Sequence, residues 1–405
     1  MDEKYIKSNY IKHFTVSTLN RVATMLSSGA IVQTLLAYFG VAFERVEIYT
    51  SITLIVQVIS MFVCTVIADK FRNLKIVISV CTFILPTIFI SLLLPSVGAL
   101  SDTELIYTVI LIGSVICNLA LGVYNVLCYK LPYQIYPIKN YGKVTSIEGI
   151  FAYGVSVGSS FLLSLFVGLY DYRLVMSIAF SIGSVIWIIC AVIVASYKII
   201  DFGDRTEERD DKDVGIKEFL THPMFIKTML PTFVRGIGTG IFGLVVTLGL
   251  RQEILNTETA TYTTFITSSS AVLGSLLYLF VERRMRHNVA IIIFGTLTGL
   301  FIPFIVVGNN LIMFYVFYFL ANAAITAASI AHPVLVTETI DYKMMGRYTA
   351  WRMLVMTFGQ SLPGFFIGAL YDVIGAPGVL TVGGALSFTA YLWLGLVMKR
   401  KEAAA

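Results

Sequence analysis

Two arginines sit deep inside long apolar stretches of this 405-residue chain. Arg21 lies nine residues past Lys12, about 13 Å along a helix at 1.5 Å per residue. Arg235 lies eight residues past Lys227, at nearly the same depth. An ionisable side chain at the centre of a membrane helix costs about 2.5–3.5 kcal/mol on the milder scales, so it marks a pairing or binding site by default. Arginine's planar fork of donors suits a carboxylate or a phosphate. Ser17, Thr24 and Ser28 share a helical face with Arg21, and Pro231 and Thr239 share one with Arg235. The bland alternative is that each arginine snorkels to an interface or pairs structurally. Acids to neutralise them are few. The one carboxylate clearly within an apolar stretch is Glu148, and its counterpart in the second half of the chain is Arg352. If those two compensate each other, in a coupling or salt-bridge role, Arg21 and Arg235 are left for an anionic ligand.

A second polar set is spaced for one helical face. Asn118, Gly122, Asn125 and Tyr129 follow at i, i+4, i+7 and i+11. An offset of 204 maps them onto Asn322, Thr326, Ser329 and Pro333. Such faces contact a ligand or hydrogen-bond a neighbouring helix, and both readings stay open. His332 stands beside the second face; its titration near neutral pH suits a proton carrier, although a structural role fits equally. Gly236, Gly238, Gly240 and Gly243 permit close packing or bending. Tyr124, Tyr153 and Tyr318 are further candidates to line a cavity. The five cysteines fall in apolar runs without CxxC spacing, which points to buried thiols and to neither disulfides nor a metal. There is no HExxH, no GxSxG and no paired deep aspartate, so no enzyme and no cofactor is expected.

These residues need membrane helices to hold them. The chain is 57% apolar and 13% charged, against about 45–50% and 25% for a soluble domain. That balance excludes an ordinary soluble enzyme, a nucleic-acid binder and a disordered chain. Runs of about 20 apolar residues recur at 14–40, 47–69, 76–98, 104–131, 144–169, 173–197, 224–250, 259–281, 289–308, 311–337, 348–371 and 377–398. The expected fold is therefore an all-α membrane protein of twelve transmembrane helices. The stretch after the polar N-terminus lacks a small-residue cleavage site and reads as a retained first span. Of the 29 Lys and Arg, 24 fall on the side of the termini; Arg45, Arg173 and Arg251 fall on the other. Positive charge stays inside, so both termini are expected in the cytoplasm. No Asn-x-Ser/Thr acceptor occurs, which fits a bacterial inner membrane. The segment 198–222, crowded with acids and bases, reads as a solvated cytoplasmic linker between six-helix bundles at 1–197 and 223–405.

The two halves repeat each other. Asn20-Arg21-Val22 matches Val234-Arg235-Gly236 at an offset of 214, and Tyr49-Thr50-Ser51 matches Tyr262-Thr263-Thr264 at 213. Asp69 matches Glu282, each beside a basic cluster; Gly142-Lys143 matches Gly346-Arg347, and Leu169-Tyr170-Asp171 matches Leu370-Tyr371-Asp372. Parallel six-span repeats are a standard plan for transporters, with substrate held between the halves. On this repeat, and on Ala68-Asp69-Lys70-Phe71-Arg72 with its echo Glu282-Arg283-Arg284-Met285-Arg286, the chain resembles the major facilitator superfamily. The superfamily's usual loop has glycines where this chain has Thr65 and Arg72. The resemblance implies that spans 1, 4, 7 and 10 line a cavity, and that Asp69, Arg72, Glu282 and Arg286 latch a cytoplasmic gate. A pair of arginines in spans one and seven is similar to the arrangement in organophosphate–phosphate antiporters, which holds phosphate between them.

The reading these features favour is a secondary transporter for a small polar, anionic solute, working as a symporter or antiporter by alternating access. Arg21, Arg235, Asn118, Asn125, Tyr129, Asn322, Ser329 and His332 are its candidate substrate contacts. Expected partners are that small molecule, the lipid bilayer and a coupling proton or counter-substrate, in a monomer that binds no nucleic acid. Three alternatives stand beside it. Thr337 to Arg347 resembles the span 10–11 connection of glycoside–pentoside–hexuronide symporters, implying sugar–cation symport. Those proteins use carboxylates in spans two and four, where this chain offers Gln57 and asparagines. A multidrug–proton exporter would need a deep carboxylate. A membrane sensor would need an appended domain to carry the signal.

Overall fold

The computed structural model describes the chain except residues 1, 68–72, 129–130, 132–134, 136–140, 200–220, 283, 340–341 and 399–405. It is helical throughout, and among the described residues no strand occurs. Among the described residues, ten helical segments are long and apolar enough to cross a membrane: 43–65, 74–96, 103–128, 151–169, 172–195, 225–251, 257–282, 287–304, 311–336 and 367–397. Each falls on one of the twelve expected spans. The two remaining spans are helical but more polar. The first is α1 (Asp2–Leu26), which carries three lysines before Arg21, followed after a break at Ser27–Ser28 by α2 (Gly29–Tyr38). The eleventh begins as α14 (Tyr342–Ser361), which carries Lys343, Arg347 and Arg352. With these two the chain makes the twelve-helix, all-α membrane fold.

The remaining elements follow in order. They are α3 (Phe43–Ile67), α4 (Leu74–Ile84), α5 (Thr87–Ser96), α6 (Thr103–Cys128), α7 (Tyr141–Leu169) and α8 (Tyr172–Ala195). Then come α9 (Pro223–Gly243), α10 (Val245–Arg251), α11 (Thr257–Glu282), α12 (His287–Phe301), α13 (Leu311–Thr339) and α15 (Ile367–Val397). Four expected spans are broken rather than continuous, the eleventh between Ser361 and Ile367, where Pro363–Phe365 forms a 3-10 turn. The third breaks at Leu85-Pro86, where proline has no N–H to continue the ladder. The first breaks at Ser27–Ser28 and the seventh at Leu244, so the repeat extends to these breaks. The boundary between the last two spans is tighter than 371–377. The two helical stretches of α15 meet there in a kink at Gly375, which has φ 67° and ψ 174°. A residue with a Cβ is strained there, and glycine is not.

The chain packs as two compact units. The first comprises Met1–Val32, Phe39–Val41 and Val56–Lys212. In it α8 packs against α1, α4 and α5, and α6 packs against α4 and α5. Its core packs Phe89 against Trp187, tilted at 4.7 Å between ring centres, with Gly183 beneath the Phe89 ring. The end of α8 is fastened by cations on its last carbonyls, as the helix dipole favours. Lys12 Nζ donates to the Ser196 carbonyl at 2.8 Å, and Lys75 Nζ to that of Tyr197 at 2.9 Å. Buried Asn9 donates to the carbonyls of Ile135 and Lys198 and accepts from the Lys198 N–H, fixing the start of the 198–222 segment.

The second unit comprises Gln33–Tyr38, Ala42–Ile55 and Asp213–Ala405. The outer part of α3, early in the chain, thus belongs to the later unit. In that unit α15 packs against α9 and α12, α13 against α11 and α12, and α14 against α9. Small residues let α9 and α14 approach: a Cβ on Gly236 would lie 2.9 Å from the Gly359 Cα and nearer still to the Met356 carbonyl.

Candidate functional site

Arg235 lies in the middle of α9, and only 2% of it is exposed. Its surroundings come from two other helices of the same unit. Nη1 is 3.0 Å from His332 Nδ1, and Nη2 donates to Ser329 Oγ at 2.9 Å, both on α13. The guanidinium carbon stands 4.6 Å from the centre of the Tyr391 ring on α15. Tyr391 is held from behind, because Gly295 of α12 leaves room for its ring. Ser329 and His332 are three apart on one helix and so present a single face to the arginine.

The geometry fixes the chemistry of the pair. Arginine only donates, so His332 Nδ1 accepts, and the imidazole is neutral with its proton on Nε2. That Nε2, the Arg235 Nε and the Tyr391 hydroxyl lie buried without a hydrogen-bond partner. Among the described residues, no carboxylate forms an ion pair with Arg235. The result is a buried positive charge with spare donors. The Arg235 backbone is engaged as well: Thr239 Oγ1 donates to its carbonyl at 2.9 Å and accepts from Gln360 Nε2 of α14 at 3.2 Å.

Arg21, the repeat counterpart in the first unit, is set differently. It is half-buried on α1. Its guanidinium carbon lies 4.1 Å from the centre of the Tyr153 ring on α7, a cation–π contact worth about 0.5–2 kcal/mol. Beside it, Asn20 ties α1 to two other helices. Its Oδ1 accepts from Trp187 Nε1 at 2.9 Å, and its Nδ2 donates to the Tyr124 hydroxyl at 3.4 Å.

The asparagine faces prove partly internal. Asn118 and Asn322 are half-buried, and each donates to the carbonyl four residues earlier, Ser114 at 2.8 Å and Tyr318 at 2.9 Å. Gly122 packs against α3, where a Cβ would lie 2.6 Å from the Gln57 carbonyl. Thr326 packs against Gly274 of α11 in the mirrored contact of the second unit. Asn125 is half-buried on α6. Tyr129, Asp69 and Arg72 lie outside the described residues, as does the side chain of Glu148. Arg352 is half-buried on α14. Glu282 ends α11 and Arg286 precedes α12, both exposed.

One expectation is corrected. Glu148 is not alone among carboxylates within the spans: Glu47, on the second turn of α3, is 1% exposed. It faces Arg251, which ends α10. Arg251 Nη2 lies 3.1 Å from both Glu44 Oε1 and Asp372 Oδ1, and Nη1 lies 3.8 Å from Glu47 Oε1. The Tyr371 ring centre is 3.9 Å from the guanidinium carbon. A signal for Glu47 was present in the repeat. The offset of 213 that aligns Tyr49 with Tyr262 aligns Glu47 with Ala260, a residue 0% exposed. An acid therefore occupies a position whose counterpart is apolar and buried.

Solved structures share this fold at low identity. The D-xylose–proton symporter matches with a TM-score of 0.72 at 12% identity, covering 96% of this chain and 97% of that one. The nucleoside transporter NupG matches with a TM-score of 0.63 at 16% identity, covering 97% and 100%. The E. coli fucose:proton symporter FucP, as a variant, matches with a TM-score of 0.64 at 14% identity, covering 97% and 98%. No curated protein sequence matches significantly. The sequence profile of the Major Facilitator Superfamily matches residues 14–362. The chain belongs to the Major Facilitator Superfamily and is a multi-pass membrane transporter rather than an enzyme.

Proposed function

We propose that this transporter moves a small polar solute bearing a carboxylate or phosphate by alternating access, with Arg235 as the principal anion contact and Arg21 as its counterpart. The observation that carries the reading is the buried Arg235 guanidinium. It is held by the neutral groups of His332 and Ser329, keeps a free Nε, and has no acid among the described residues. A desolvated cation is stabilised strongly by an opposite charge and poorly by neutral dipoles. An arriving anion meets donors already positioned. Orientation follows from the charge split, with both termini cytoplasmic in a bacterial inner membrane. The working unit is a monomer.

The direct test is thermal stabilisation of the purified protein by a panel of sugars, sugar phosphates and carboxylates. Anionic compounds raise the melting temperature of wild type and lose that effect in Arg235→Gln. Stabilisation by neutral sugars alone, retained in Arg235→Gln, contradicts the reading.

A second reading, proton-coupled transport of a polyhydroxylated neutral solute, is favoured by one observation. Glu47 supplies a buried carboxylate in span two. The xylose and fucose proton symporters and the nucleoside transporter named above share the fold.

A further inference from the structure

The group around Arg251 contains three carboxylates, Glu44, Glu47 and Asp372, and one guanidinium. Two of the acids are open to solvent, with side chains 57% (Glu44) and 69% (Asp372) exposed. They take the short contacts to Nη2. Glu47 is sealed at 1% exposure and stands 3.8 Å from Nη1. At that separation neither Glu47 Oε1 nor Arg251 Nη1 makes a hydrogen bond, and both are buried. The arginine is thus occupied by the acids that need it least, while the acid that has lost its water has no hydrogen bond to replace it. An ionised carboxylate is costly there. A protonated one is cheaper, and Arg251 remains near enough to pair with Glu47 if it turns away from the rim.

The space is built for a carboxylate. Gly368 of α15 faces it, and a Cβ there would lie 3.2 Å from Glu47 Oε2; Gly364 packs against the Glu47 carbonyl and Ser51. The charged and titratable groups facing Glu47 are Glu44 from its own helix, Arg251 from α10, and Asp372 and Tyr371 from α15. Arg45, two residues away on α3, is half-buried. In the twelve-crossing order, the start of α3, the end of α10 and the turn before Gly375 come to the membrane face opposite the N-terminus.

We propose that Glu47 is a proton-binding site of this transporter, loaded from water on that face through the exposed Glu44 and Asp372 and unloaded when Arg251 pairs with it. The proton adds to a carboxylate oxygen, cancelling the charge and releasing Arg251 to the rim acids. Deprotonation, with the proton passing to water, restores the charge on Glu47 and draws Arg251 inward. The site gives the proposed transport cycle its coupling ion, and to that extent rests on the transport reading.

The test needs no substrate. Infrared titration of the full-length protein in detergent, over about pH 4 to 9, follows the C=O stretch of protonated carboxyls. Wild type minus Glu47→Gln isolates one carboxyl band, which grows as pH falls. In Arg251→Gln its midpoint moves to higher pH by about 1 unit or more, because the cation favouring the charged form is gone. Absence of a band that Glu47→Gln removes overturns the proposal. So does a midpoint unmoved in Arg251→Gln, a comparison that still decides the matter if Glu47→Gln does not fold. Both results are independent of anion binding at Arg235, so the two ideas fail separately.

Discussion

Arg235 is a charge held by neutral partners, and its neighbours share the cost of that arrangement. Ser329→Ala leaves Nη2 of the buried guanidinium without its acceptor. The expected loss is about 1–3 kcal/mol, seen as a lower melting temperature in detergent. His332→Gln keeps an acceptor oxygen within reach and is expected to lose less than His332→Ala. Arg235→Lys keeps the charge but not the planar fork. A binding loss of about tenfold or more, equal to about 1.4 kcal/mol, is expected for anionic ligands by isothermal titration. At this scale the sequence was informative where spacing carries meaning. Ser329 and His332 lie one turn apart, and Arg235 is matched to Arg21 by the repeat. It was less direct about Glu47: a hydropathy window treats an acid at the start of a span as part of the loop, and only the repeat, which sets Glu47 against the apolar Ala260, marks it out. Its pairing with Arg251 joins positions about 200 residues apart, which no local pattern encodes. Nor does the repeat reveal that Arg235 is sealed while Arg21 is half-buried over Tyr153.

Helix packing sets what each element tolerates. Gly236 of α9 abuts Gly359 and Met356 of α14, so Gly236→Val must push the two helices apart. Overpacking of this kind costs about 1–3 kcal/mol. Gly243, on the same helix, has nothing within 4 Å of an added Cβ. Gly243→Val is expected to leave the melting temperature near wild type while Gly236→Val lowers it, and a thermal melt of both variants decides between them. The spans themselves were legible, since ten coincide with strongly apolar helices. The breaks were less so. Proline announces the one at Leu85-Pro86, whereas the breaks at Ser27–Ser28 and Leu244 carry only an adjacent glycine, Gly29 and Gly243, a weaker signal inside an apolar run. The turn between the last two spans contracts to a kink at Gly375, whose positive φ glycine adopts without strain.

For the whole molecule, charge and fold make separate statements. The twelve-helix fold and the superfamily follow from apolar runs and a repeat spread along the entire chain, so they survive the departures in the loop around Asp69. The proposed orientation rests on Lys and Arg alone. Reporter fusions to both termini are expected to be active only as cytoplasmic reporters, and a periplasmic signal from either contradicts the twelve-span arrangement. In the proposed reading, transport specificity depends on a few buried groups among many apolar ones, which is why composition cannot supply it. The measurement that bears on it most directly is counterflow in proteoliposomes, comparing wild type with Arg21→Ala and Arg235→Ala on sugar phosphates, carboxylates and neutral sugars. Wild type should exchange an anionic solute, and each variant should lose that exchange by about tenfold or more. Anion exchange at wild-type rates in both variants would show that neither arginine contacts the transported solute.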